Sequence, residues 1–144
     1  QMILLYIAES HRELSDTLFR PYYLPYAQAV AMYAACESQR KSATGPVATM
    51  MIMLAPFIQN AHVSEVRLDR RVAALRTIEA IRMQAASDGG KFPKTLADVK
   101  VVPVPNDPVT GRPFEYRAED GAFALEGPPA PGNVPVMQYR ITPR

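Results

Sequence analysis

The chain has 144 residues, with 16 basic against 14 acidic side chains, a net charge of +2, one cysteine and no tryptophan. That length suffices for one domain with its own core, without disulfide or metal staples, and Cys36 has no partner for an internal bridge. The near-balance of charge, with no aromatics interleaved with Arg or Lys, points away from nucleic-acid binding.

Composition divides the chain near residue 90, since 10 of the 14 prolines and 6 of the 7 glycines lie at or beyond Gly89. The front is expected to be helical and the back to hold turns and short strands. Residues 1 to about 19 predict an amphipathic helix, with Ile3, Ile7, Leu14 and Leu18 on one face and Glu9, Arg12, Glu13 and Asp16 on the other. Arg20-Pro21 closes it. Tyr22 to Tyr26 reads as a connector with Pro25 at a helix first turn. A second helix follows from Ala27 to Arg40, where Ala31, Ala34, Ala35 and Ser38 offer small surfaces for close packing and Cys36 reads as a small buried hydrophobe.

After a loop at Ser42 to Pro46, Val47 to Ala61 is apolar nearly all round and predicts a central, buried helix that kinks or ends at Pro56. Its apolar run is too short to cross a bilayer, which takes roughly 20 residues. Ser64 then reads as the N-cap of a fourth, longest helix, with Val66, Leu68, Val72, Leu75, Ile78 and Ile81 at steps of three and four on its core face. Arg67, Asp69, Arg70, Arg71, Arg76, Glu79 and Arg82 are assigned to its solvated face.

Asp88-Gly89-Gly90 stops that helix, Thr95 begins a short turn over Leu96 to Val99, and Asn106 to Gly111 is a turn built on Asx side chains and a free glycine. Pro113–118, Ala122–126 and Val134–141 predict three short strands, the first two joined by Glu119-Asp120-Gly121. Phe114 and Tyr116, and likewise Phe123 and Leu125, alternate with polar or small residues, so one face of the sheet is apolar and suited to the long helix. Gly127 to Gly132 reads as a stiff, exposed link. The expected fold is therefore α+β in a single domain, 1–144: a helical array over 1–88, about four helices with the last long, packed on a small three-stranded antiparallel sheet within 89–144.

Motifs for chemistry are sparse. His62, Glu65 and Asp69 share a helical face and form a partial ligand set, although acids near a helix start are also favoured by the helix dipole. His11 lies two residues from Glu9 and Glu13 and so off their face. No nucleophile with an adjoining base is apparent, and the glycines close a helix or form hairpins instead of opening a helix around a phosphate. No catalytic residue and no cofactor is expected. Met50, Met51 and Met53 serve either a core or an adaptable groove.

The C-terminal string Gly90-Lys91-Phe92-Pro93-Lys94-Thr95-Leu96-Ala97-Asp98-Val99, with Pro105-Asn106-Asp107-Pro108-Val109-Thr110-Gly111-Arg112-Pro113-Phe114-Glu115-Tyr116 after it, resembles a segment of uncharacterised bacterial proteins of planctomycete and acidobacterial type, often membrane-anchored. The same stretch, residues 72 to about 127, is similar to the periplasmic part of type II secretion pseudopilins, in which a long helix precedes two such turns and a small sheet. The resemblance implies structural roles for Gly90, Phe92, Pro93, Asp107, Pro108, Gly111, Pro113, Phe114 and Tyr116 and carries no activity. It implies a non-enzymatic extracytoplasmic interaction or assembly module, periplasmic or membrane-anchored, with a protein partner or self-association and with membrane attachment only through a segment outside this chain. The start at Gln1, with no charged leader, fits a mature or truncated form. The alternative is a small-molecule binder or hydrolase using a cleft between helices and sheet, with Tyr22, Tyr26, His62 and Glu65 as its candidate residues.

Overall fold

The computed structural model describes residues 2–42, 45–119 and 121–142. The chain forms two compact units, Gln1–Glu65 and Val66–Arg144. Three α-helices, α1 (Met2–Leu14), α2 (Tyr26–Ser42) and α3 (Pro46–Ser87), precede three strands, β1 (Glu115–Glu119), β2 (Ala122–Glu126) and β3 (Gln138–Ile141). The class is α+β as expected, with three α-helices among the described residues in place of the four expected.

In the first unit α1 passes into a single π-helical stretch, Ser15–Phe19, and a 3-10 turn, Arg20–Tyr23, so the predicted helix stops short of Phe19. Leu18 is buried with Met51 and Ala55, and Ile58 packs against them. The face predicted from Ile3 and Ile7 is exposed, and the side chain of Leu14 lies outside the described residues. On α2 the buried stripe is Tyr26, Ala29 and Cys36, while Ala31, Ala34, Ala35 and Ser38 face solvent. Steps of three and seven residues from Tyr26 through Ala29 to Cys36 define that helix's buried side.

The predicted helices at 47–61 and from Ser64 onward are one continuous helix. Pro56 sits inside α3, and the Ser64 hydroxyl donates to the Asn60 carbonyl 2.8 Å away, the back-bond of a mid-helix serine instead of a cap. The stretch around Pro56 is buried along one stripe only, Ala48, Met51 and Ala55, whereas Met50, Ile52, Met53, Leu54 and Phe57 are exposed. Its all-round apolar composition therefore does not make it a buried core helix.

In the second unit the core joins Ala73, Ala74, Ile78, Ala80 and Ile81 of α3 to Val99, Phe114, Phe123 and Leu125. The predicted core face holds in its second half only: Ile78 and Ile81 are buried, whereas Leu68, Val72 and Leu75 are exposed, and the buried side is otherwise alanine-rich with Arg70, Thr77 and Gln84 among it. The alanines let the sheet approach the helix closely around Ile78 and Ile81. Thr77 satisfies its hydroxyl on the Ala73 carbonyl at 3.0 Å.

The sheet runs β1-β2-β3, antiparallel throughout, with Tyr116 opposite Leu125 and Leu125 opposite Tyr139. Alternation places Phe123 and Leu125, both fully buried, on the helix-facing side. Of the predicted hairpin, Gly121 takes φ 69°, and Asp120 lies outside the described residues. Phe92 packs edge-on to Phe123, with ring centroids 5.0 Å apart, and the Tyr116 hydroxyl donates to the Pro93 carbonyl at 2.7 Å, so the Gly90–Pro93 turn is pinned to the sheet. α3 ends as expected: Gly89 and Gly90 adopt left-handed φ, and the Gly90 N–H donates to the Ala85 carbonyl at 2.7 Å.

Candidate functional site

Two polar centres stand out, one in each unit. In the first, His62 on α3 is only 5% exposed. Tyr22, Tyr26 and Tyr33 present their rings to it at centroid distances of 4.9, 5.5 and 6.0 Å. Its Nδ1 lies 3.1 Å from the Tyr33 hydroxyl, and the Tyr22 hydroxyl donates to Glu65 at 2.5 Å. Burial pushes the His62 imidazole below its ordinary value, against the opposing pull of the Glu65 carboxylate. The same desolvation raises the Tyr33 phenol to about 12. The structure thus gathers Tyr22, Tyr26, His62 and Glu65, the four residues of the binder or hydrolase alternative. Asp69 is exposed, and among the described residues no group of three His, Cys, Asp or Glu side chains is placed to hold a metal ion. His11 is likewise exposed.

The second centre lies on the face of α3 that its charges assign to solvent. Arg70 is 2% exposed and Asp107 fully buried, with Nε of the arginine 3.1 Å from Oδ1 of the aspartate. The Nε–H is not aligned on that oxygen, so the contact is a charge pair rather than a directed hydrogen bond. The other guanidinium nitrogens reach two further segments, Nη1 donating to the Pro135 carbonyl at 3.2 Å and Nη2 to the Pro128 carbonyl at 2.5 Å. Gly127 and Pro128 are consequently buried, not part of an exposed link.

The turn Asp107 to Gly111 delivers that carboxylate. Its Oδ1 accepts from the Val109 N–H at 3.3 Å and its Oδ2 from the Thr110 hydroxyl at 2.9 Å, while the Gly111 N–H donates to the Asp107 carbonyl at 2.8 Å. The Asx turn expected from composition therefore fixes the rotamer of an ion-pair partner. Asp107, Gly111 and Phe114 have structural places here, and Phe114 is buried in the core.

Beside this node a groove of about 250 Å³ is lined by Arg67, Arg70, Arg71 and residues 134–139. Arg67 gives one N–H to the Asn133 carbonyl at 2.6 Å, and Arg71 is exposed with no partner among the described residues. No signal in the sequence marks this groove. Its two walls are far apart in the chain and only one carries charge.

Comparison with protein families, with curated proteins and with solved structures finds no match for this chain. No helix among the described residues is long and apolar enough to cross a membrane.

Proposed function

We propose that the chain is a non-enzymatic interaction or assembly module that acts outside the cytoplasm as the soluble part of a longer bacterial protein. The observation carrying the interaction reading is the apolar surface of the first unit. Met2, Ile3, Leu4, Leu5, Tyr6 and Ile7 on α1 are all more than half exposed, and so are Ile52, Met53 and Phe57 on α3. Large apolar side chains in unbroken succession on a surface favour burial against another protein, at about 25 cal/mol for each Å² covered. The extracytoplasmic setting is supported by the likeness of the Gly90–Val99 and Pro105–Tyr116 strings to anchored bacterial proteins and pseudopilins.

Self-association is the first form to test. Light scattering after gel filtration, across a range of concentrations, should show dimers or larger species that an Ile3→Glu, Ile7→Glu variant disperses. A wild-type chain that stays monomeric at every concentration and leaves an apolar dye dark would overturn the reading.

A further inference from the structure

Beyond the apolar face, and independent of it, the second unit offers a differently built surface. β3 is an edge strand, since the sheet order is β1-β2-β3. The Gly127 N–H donates to the Met137 carbonyl at 2.8 Å, in register with Glu126 opposite Gln138. Antiparallel ladders alternate the direction of their backbone groups, so if residue 137 turns toward β2, Gln138 and Arg140 turn their N–H and C=O outward. Both residues are exposed. An edge with free donors and acceptors is a template for another strand.

The groove beside that edge supplies a charge preference. Its floor is Arg70, already committed to Asp107, Pro128 and Pro135. Above it Arg71 has no partner among the described residues and Arg67 uses one N–H on Asn133, leaving most donors of two guanidinium groups unclaimed. The lining contains no acidic side chain, and Val134, Met137 and Tyr139 give it an apolar wall.

We propose that this groove binds an extended acidic peptide, which adds to the sheet beside β3 and places carboxylates at alternate positions against Arg67 and Arg71. Backbone hydrogen bonds to the β3 edge supply register, and the two-residue period of a strand brings every second side chain to the arginine side. Carboxylate–guanidinium pairing then selects acidic sequences over neutral or basic ones.

The test uses the whole chain and a short labelled peptide in which glutamate alternates with valine, followed by fluorescence anisotropy. Binding should weaken about tenfold for Arg71→Gln and further for Arg67→Gln with Arg71→Gln, the scale of a lost charge-assisted hydrogen bond. A lysine–valine peptide and a glutamate peptide N-methylated at alternate residues should not bind, and the Gln138 and Arg140 amides should gain protection from hydrogen exchange in the complex. Because Arg71 is exposed and makes no hydrogen bond or ion pair among the described residues, its variant should keep the far-ultraviolet circular dichroism of the parent. No binding of the glutamate peptide, undiminished binding by the double variant, equal binding of the N-methylated peptide, or competition by inorganic phosphate alone would each overturn the proposal. The last two would indicate a simple anion site without strand addition.

Discussion

Arg70 and Asp107 form a buried charge pair, Nε to Oδ1 at 3.1 Å, between the middle of α3 and a turn ahead of β1. Two opposite charges withdrawn from water stabilise a fold only weakly as a pair, but removing one strands the other. Asp107→Ala should therefore lower stability by about 3–5 kcal/mol. Arg70→Met with Asp107→Ala should recover part of that loss. Urea midpoints of the single and double variants provide the check, and an additive result would show that the two groups do not interact.

Gly127 faces the same guanidinium. A Cβ built there would lie 2.5 Å from Nη2 and 2.8 Å from Cζ of Arg70, closer than atoms tolerate. Gly127→Ala should cost about 1–3 kcal/mol by overpacking. In an Arg70→Met background the same substitution should cost less, because the obstructing group is gone. Thermal denaturation of the four proteins measures the difference.

Gly111 needs its glycine for another reason. Nothing lies within 4 Å of a Cβ at that position, yet φ is +70°. Gly111→Val is opposed by backbone strain alone, about 1–3 kcal/mol and towards the upper end for a β-branched side chain. Misplacing this turn also loosens the carboxylate held by Thr110 and Val109. The loss in melting temperature at neutral pH should exceed that for His11→Ala, whose side chain is exposed.

His62 should give the fold a pH dependence. Its folded-state pKa is lowered from 6.5, mainly by burial, so the unfolded chain binds a proton more readily. Stability is then fully retained above pH 6.5 and falls as the pH drops from there through the lowered folded value. His62→Phe, which keeps a ring among Tyr22, Tyr26 and Tyr33, should flatten this part of the curve. Urea midpoints between pH 7.5 and 5 for both proteins decide it, and an unchanged slope in the variant would rule out His62 as the source.

Local signals carried much of the second half of the chain. The alternation of Phe123 and Leu125, the glycines after Ser87 and the Asx turn at Asp107 act over a few residues and fold as their chemistry requires. The helical half was harder to read, because Pro56 and Ser64 are breaker and cap by type but are accommodated inside α3. The core face of α3 is legible at Ile78 and Ile81 but not ahead of them. Periodicity ranks Leu68, Val72 and Leu75 above alanine, whereas the sheet needs the thin face of Ala73, Ala74 and Ala80. Arg70 groups by sequence with the solvated charges, since nothing local distinguishes it from Arg67 or Arg71. Its partner comes from a distant turn. No local pattern marks the candidate groove, because a sheet edge acquires meaning only when another element lies beside it.

The guanidinium of Arg70 touches a carboxylate in one turn and a carbonyl in each of two others, at Pro128 and Pro135. One cation thus gives all three segments a common reference point. A disturbance in any of them is felt by the remaining two through a side chain none of them owns. Substitution in such an arrangement is collective: the arginine, the aspartate and the glycine that makes room for them can change together, and hardly at all one by one.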